Sequence, residues 1–235
     1  MSTLLLINPN TTASITALVL KHAKRFAAKG TTVRAVTGAF GPRYIASRIG
    51  YAIAGHAAVD ALANDTARKD AIVLACFGDP GLAALKEVSK VPVVGMAEAA
   101  ILQASAIGQR FSIVTGGERW KPMLEEFVAA QGMSTRLASV RTVAPTGADI
   151  ARNPKAALAL LAKGCAACVR EDRADVVILG GAGLAGLAAK LASKVEVPLL
   201  DGVACAISTA EGLAAQKPAK ARTGQLSKAL ARMIG

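Results

Sequence analysis

One stretch of this sequence is written twice, and a repeated supersecondary unit restricts a chain to folds with two similar halves. Residues 70–100 read DAIVLACFGDPGLAALKEVSKVPVVGMAEAA, and residues 175–207 read DVVILGGAGLAGLAAKLASKVEVPLLDGVACAI. Each copy offers an apolar run fit for a buried strand, then a Gly-rich turn and a helix of small residues. A short entry ending in Pro and a second brief apolar strand follow. The same step from the leading aspartate reaches Cys76 in the first copy and Gly181 in the second. A thiol in one turn corresponds to bare backbone in the other.

The flanking sequence extends the repeat. Residues 3–7 predict a strand ending in the polar turn Asn8-Pro9-Asn10-Thr11-Thr12, and residues 13–29 a helix that Gly30 stops. Residues 31–37 alternate as a strand before the Gly- and Pro-rich loop 38–42, and residues 53–68 have helical spacing. After a helix at 97–107 the order restarts with a strand at 111–114 ending in Thr115-Gly116-Gly117. A helix at 118–130, a strand at 137–143 and a helix at 153–172 opened by Asn-Pro lead into the second copy. A basic helix at 216–234 closes the pattern. Thr115 stands to Asn8 nearly as Gly181 stands to Cys76, so the whole front half recurs.

Strands alternating with helices specify parallel sheets with right-handed crossovers. The expected fold class is therefore α/β, with two pseudo-symmetric parallel-sheet domains: residues 1–97 plus 212–235, and residues 98–211. Ligands bind beyond the carboxyl ends of such strands. The loops at 8–12, 76–80, 115–117 and 181–183 meet that rule, and a pseudo-twofold arrangement would set them across one cleft.

Composition narrows the function. Apolar residues make up 53% of the chain but aromatics only 3%, so Ala, Val, Leu and Ile must fill the core, as suits parallel strands under Ala-rich helices. The net charge of +12 favours anionic partners in principle. Yet Lys and Arg are spread along helices and densest at Lys217, Lys220 and Arg222, without aromatic interleaving or a helix-turn-helix or zinc-finger spacing. Nucleic acid is not an expected partner. The opening MSTLLLINPN lacks the charged start of a signal peptide, and no apolar run reaches the roughly 20 residues that span a bilayer. Four cysteines without secretion signals suit a reducing compartment, so a soluble cytoplasmic protein without a membrane partner is expected.

Chemistry concentrates in the turns. Cys76 ends a strand just before Phe77-Gly78-Asp79-Pro80-Gly81, where Asp79 is suited to cap a helix and Pro80 to take its first position. A thiol ahead of a helix N-terminus is expected to favour the thiolate. Gly78 and neighbouring amides would hold a carboxylate or an enolate-like oxyanion. The plainer reading of Cys76, a small buried hydrophobe, describes most free cysteines. It is the better reading for Cys165 and Cys168, which share a helix without matching histidines for a metal, and for Cys205. His56 is a candidate helix-borne acid or base. A serine-hydrolase triad lacks its Gly-x-Ser-x-Gly turn. Gly181-Ala182-Gly183-Leu184-Ala185-Gly186, with Asp201 further on, matches the dinucleotide fingerprint. Against that reading, little sequence follows Asp201 and the aligned first turn carries no fingerprint.

Four segments resemble the hydantoin racemase branch of the aspartate/glutamate racemase superfamily: Asn8-Pro9-Asn10-Thr11-Thr12, Cys76-Phe77-Gly78-Asp79-Pro80-Gly81, Val94-Gly95-Met96-Ala97-Glu98-Ala99-Ala100 and Phe111-Ser112-Ile113-Val114-Thr115. The resemblance covers nearly the whole chain. It implies two α/β domains of the Asp/Glu racemase type, no cofactor and no metal, a homo-oligomer, and a small-molecule substrate: a hydantoin, an amino acid or a related small carboxylate. It also implies two cysteines on opposite faces of the substrate carbon, one removing a proton and the other returning one. The first falls on Cys76. The second belongs to a Gly-Cys-Ala-Gly turn that here reads Gly180-Gly181-Ala182-Gly183. Asn8, Asn10, Phe77, Gly78, Thr115, Ala182 and Gly183 are the expected substrate-binding positions. With Gly181 in place of a thiol, the implied activity is a racemase with impaired two-base chemistry. A single-cysteine lyase of the arylmalonate decarboxylase type and a catalytically silent binding protein stand as alternatives.

Overall fold

The computed structural model describes residues 1–143, 150 and 153–216. Two sheets carry the chain. β1 (Thr3–Asn8), β2 (Thr32–Thr37), β3 (Ala71–Leu74) and β4 (Val93–Gly95) form the first, in the order β2-β1-β3-β4. β5 (Phe111–Gly116), β6 (Leu137–Val143), β7 (Val176–Leu179) and β8 (Leu199–Asp201) form the second, in the matching order β6-β5-β7-β8. Every pairing is parallel, with Leu4 between Val33 and Ala71 in one sheet and Val114 between Arg141 and Leu179 in the other. The continuous apolar runs follow from burial on both faces.

Successive side chains of a strand face opposite sides, and this alternation builds three layers of core. In β1, Leu4 and Leu6 join a large cluster that also takes in Val73, Ile113, Ile178 and Ala206 from both halves. Leu5 and Ile7 face the other way, toward Leu74, Leu82 and Leu85. In the second half Val114, Val177 and Leu179 pack outward with Leu161, Cys165 and Cys168. The Cys165–Cys168 pair is thus core, and Cys205 sits in the central cluster. Burial pushes the Cys165 and Cys205 thiols up to about 12.

Eight α-helices surround the sheets among the described residues: α1 (Ala13–Phe26), α2 (Arg48–Ala63), α3 (Leu82–Val88), α4 (Met96–Ile107), α5 (Trp120–Ala130), α6 (Pro154–Arg170), α7 (Ala188–Leu191) and α8 (Gly202–Ala214). α4 follows the first sheet but packs on α8 and β7, while α8 follows the second and packs on α1 and β3. This exchange carries the central core across both halves. None of these helices is long and apolar enough to cross a membrane.

Several element boundaries differ from the sequence expectation, each for a tertiary reason. α1 stops at Phe26 rather than residue 29, because the following turn is tied down by the Ala28 N–H donating to Glu211 of α8 at 2.8 Å. α2 starts at Arg48, where Ser47 Oγ accepts the Gly50 N–H at 3.1 Å, and ends before Asp65. The helix expected in the second copy is broken into a 3₁₀ turn (Ala182–Leu184), α7 and another 3₁₀ turn (Ala192–Lys194). Gly186 causes the break: it is left-handed, with φ 76°, and its N–H donates to Asp201 at 2.8 Å. The expected basic helix at 216–234 falls almost wholly outside the described residues.

Asp65 is drawn off the end of α2 by two cations. Arg34 of β2 donates to it with both terminal nitrogens, and Lys69 Nζ lies 2.9 Å from Oδ1. The Arg34 hydrogen bonds, then those from Lys69, hold its carboxyl down at about 2. A depressed carboxyl stabilises the fold above its unfolded value of roughly 4 and loses that contribution as pH falls toward 2. Asp65→Asn is expected to lower stability at pH 7 by about 1 kcal/mol after solvent screening. Urea denaturation across that range should show a shallower acid loss than in the unsubstituted chain.

Candidate active site

The carboxyl ends of β1, β3, β5 and β7 surround a cavity of about 50 Å³, room for a few waters. Asn10, Cys76, Phe77, Thr115 and the segment Gly181-Ala182-Gly183 all line it. The two turns of the repeat therefore face one space, with the thiol on one wall and the glycine on another.

Close backbone approach brings the turns together. The Phe77 ring lies against Gly180 and Gly202 of the second half: a Cβ on Gly180 would fall 2.5 Å from Cε1, and one on Gly202 3.2 Å from Cδ2. In return, Trp120 of α5 covers Gly78, where a Cβ would fall 2.6 Å from its ring. Tyr51 of α2 fixes the same turn by donating its hydroxyl to the Gly78 carbonyl at 2.7 Å. Gly78 thus lies behind the cavity wall, under Trp120, rather than among the residues that line it.

Cys76 is 7% exposed. Burial first, and then the carboxylate of Asp79, push its thiol far above the ordinary range. The expected thiolate is overturned. α3 begins only at Leu82, behind left-handed Asp79 (φ 53°) and Gly81 (φ 80°), so its N-terminus is not set directly after the thiol. Nor does Asp79 cap α3. Its carboxylate accepts the Ala97 and Glu98 N–H groups at 3.1 and 2.8 Å, so it caps α4 instead. Pro80 likewise precedes the cap residue Gly81 rather than opening the helix. Gly95 makes the room: a Cβ there would lie 2.2 Å from Asp79 Oδ2. Burial raises the Asp79 carboxyl to about 7.

Gly181 adopts φ 133° and ψ 135°, a conformation that L-residues rarely enter. A Cβ there would lie 3.2 Å from Leu184 Cδ1, a tight contact that this side chain must yield to, and 3.6 Å from Thr115 Oγ1. The Thr115 hydroxyl is the nearest polar side chain to where a second thiol would hang. Ala182 and Gly183 continue as the 3₁₀ turn along the wall.

Asn8 is wholly buried behind the first loop and is not among the lining residues. Its Nδ2 donates to Asn10 Oδ1 at 3.0 Å and to Thr16 Oγ1 at 2.9 Å, and its Oδ1 accepts the Asn10 N–H. Asn10 Oδ1 is also engaged by the Thr12 N–H at 2.8 Å, which leaves the Asn10 Nδ2 group for a ligand. Asn8 shapes the loop; Asn10 reaches the cavity.

The remaining candidates lie elsewhere. His56 is exposed and packs edge-on against Phe40, 4.9 Å between ring centroids. Asp201 caps α8, accepting the Val203 and Ala204 N–H groups at 2.9 and 3.3 Å besides that of Gly186. It is spent on backbone, and no continuous helix follows the Gly181 turn to hold a pyrophosphate. The fingerprint is a coincidence of glycine spacing. No group of three His, Cys, Asp or Glu suited to a metal occurs among the described residues.

Sequence reasoning missed Ile15, Tyr44, Ile45, Trp120 and Leu184, which supply much of the apolar lining. Tyr44 and Ile45 come from the loop after β2, held over the cavity by Thr12 Oγ1 donating to the Arg43 carbonyl at 2.6 Å. The signal was available in the composition. In this aromatic-poor chain Tyr44 and the lone tryptophan line the cavity, and Tyr51 braces the Gly78 turn behind it. No Lys, Arg or His is among the lining residues.

Two parallel sheets of one topology, meeting turn to turn over a shared cavity, define a pseudo-symmetric α/β protein of the Asp/Glu racemase-like class. The chain belongs to the Asp/Glu/Hydantoin racemase family, whose family model matches residues 4–210. It is 37% identical over 206 residues to the hydantoin racemase of Pseudomonas sp. (strain NS671), covering 87% of this chain and 83% of that one. The crystal structure of an allantoin racemase from Pseudomonas fluorescens matches it with a TM-score of 0.90 at 32% identity, over 95% of this chain and 97% of that one. A glycine-to-cysteine, cysteine-to-serine double mutant of arylmalonate decarboxylase shares the fold at 19% identity, with a TM-score of 0.71 over 95% and 97% of the two chains.

The Phe77 contact can be tested directly. Gly180→Ala forces the Phe77 ring, itself part of the cavity lining, off its seat. It is expected to cost roughly 1–3 kcal/mol, the usual cost of overpacking. Urea denaturation reads the loss, and an unchanged midpoint would contradict the close approach.

Proposed function

We propose that this chain is a cofactor-independent racemase-type enzyme that moves a proton at the acidic carbon of a small hydantoin or related compound through Cys76. The observation that carries this reading is the placement of Cys76 and Gly181 on facing turns of one cavity. The names of its relatives, hydantoin racemase and allantoin racemase, supply the substrate class. Amino acids are a weaker fit, because no cationic side chain lines the cavity to hold a free carboxylate.

The chemistry follows from what each wall carries. Cys76 rests as a thiol, so its minor thiolate form takes the proton from the ring carbon, and the electron pair moves onto the adjacent carbonyl oxygen as an enolate. Asn10 Nδ2, the Thr115 hydroxyl and the amides around Ala182 and Gly183 are the groups suited to hold that charge. Inversion requires a proton from the opposite face. Gly181 has none to give, so the proton returns from Cys76 on the face it left. The product is exchange with retention, and two-base racemisation is impaired.

A lone thiol in the cleft also suits protonation of a carbanion left by loss of CO₂, so a decarboxylase of the arylmalonate type is the second reading. A binding protein that kept the cleft without the chemistry is the third.

Separate hydantoin enantiomers incubated in heavy water distinguish these. Deuterium is expected to enter one enantiomer with little inversion, and Cys76→Ser should reduce that exchange by about 10²-fold or more. Gly181→Cys should restore inversion only in part, because the turn must first leave its glycine conformation. Rapid inversion by the unsubstituted chain would refute the one-thiol account. Release of CO₂ from an arylmalonate would favour the lyase, and binding with neither reaction would favour the silent protein.

A further inference from the structure

An enolate is planar at the carbon that has lost its proton. The proton leaves along the normal to that plane, toward Cys76, and the substituent on the same carbon stays in the plane, between the two turns. The lining there is of two kinds. Asn10, Thr115 and the Ala182-Gly183 backbone are polar, and the ring carbonyls already claim them. Tyr44, Ile45 and Trp120 stand beside them without a charge.

These three side chains make one wall. The Trp120 ring reaches from Gly78, where a Cβ would meet its Cζ3 at 2.6 Å, to Gly117, where a Cβ would lie 3.7 Å from its Cδ1. The Tyr44 hydroxyl comes to the same place, 3.4 Å from that Gly117 position. It donates to the Gly116 carbonyl at 3.3 Å, so the polar end of Tyr44 is turned onto β5. Ile45, 3% exposed, carries the wall on into the central core cluster. A hydantoin ring needs more room than a few waters, so part of the lining must give way on binding. Tyr44 and Ile45 stand on the loop between β2 and α2, outside both elements.

We infer that Tyr44, Ile45 and Trp120 are the specificity-determining wall of this site, receiving an apolar substituent on the acidic carbon and disfavouring a polar one such as the ureido group of allantoin. The inference rests on the racemase-type reading and adds the class of hydantoin: one carrying an alkyl or aryl group. Hydantoin and allantoin racemases both resemble this chain, so overall likeness does not choose between them, whereas the lining does. A ureido group brings a carbonyl and two nitrogens bearing N–H, each of which needs a partner once buried. The wall meets them with aromatic ring faces, the hydrocarbon of Ile45 and a tyrosine hydroxyl turned onto β5. An alkyl group makes no such demand and gains from leaving water.

The test compares deuterium exchange in heavy water for a hydantoin carrying an isopropyl group on its acidic carbon with that for allantoin, subtracting the Cys76→Ser rate as background. The kcat/KM for exchange is expected to favour the isopropyl compound by about 10²-fold, the scale on which an apolar pocket rejects an added polar group. Ile45→Thr should narrow that ratio, raising KM for the isopropyl compound far more than it lowers kcat. A merely structural role would lower kcat for both compounds alike, and that result overturns the assignment. If Ile45→Thr does not fold, the ratio in the unsubstituted chain decides. Exchange of allantoin at an equal or higher rate overturns the inference and leaves the racemase-type reading standing. Exchange of neither compound overturns that reading instead, and calorimetric binding of the two then decides the wall. Tighter binding of the isopropyl compound upholds it, and equal or weaker binding refutes it.

Discussion

The Phe77 ring resting on the bare backbone of Gly180 and Gly202 is the contact on which the site depends. Aromatic rings bury large apolar areas, and they approach a main chain this closely only where no Cβ intervenes. The contact fixes the spacing between the first-half turn that carries Cys76 and the second-half turn that carries Gly181. Trp120 over Gly78 repeats the device in the opposite direction. Two rings and three glycines therefore set the width of the cavity. The exchange of α4 and α8 between the sheets then holds the halves in that relation.

Pseudo-symmetry of the backbone does not extend to the chemistry. Both halves have the same strand order and both place a left-handed glycine at the end of the turn, Gly81 and Gly186. One turn then buries a thiol and a carboxylate, while the other offers backbone amides and the nearby Thr115 hydroxyl. Burial in a site without cationic lining amplifies this difference, being the largest cause of the upward shifts at both Cys76 and Asp79. The asymmetry suits a site that handles a proton on one face and a developing negative charge on the other.

Much of this was legible in the chain itself. The repeat, the alternation of strands and helices and the positions of the four loops follow from periodicity and from Gly and Pro placement, which are local properties. Asn10, Cys76, Thr115 and Gly181 were found because strand ends in a parallel sheet point to one edge. Tyr44, Trp120 and Leu184 were not, because they reach the cavity from elements whose packing no local pattern encodes. The helix-dipole argument for a thiolate failed for the same reason. It took sequence adjacency for spatial adjacency, while Asp79 turned away from α3 to cap α4.

The fold class, the doubled architecture and the pairing of Cys76 with Gly181 are written in short-range strand and turn signals that the chain carries locally. Long-range packing, by contrast, makes Asn8 serve the loop rather than the cavity, Asp201 a cap for α8, and Asp79 a cap for α4 rather than α3. Those outcomes depend on which hydrogen-bond donors and how little water surround each group, and both are set by contacts between residues far apart in the chain.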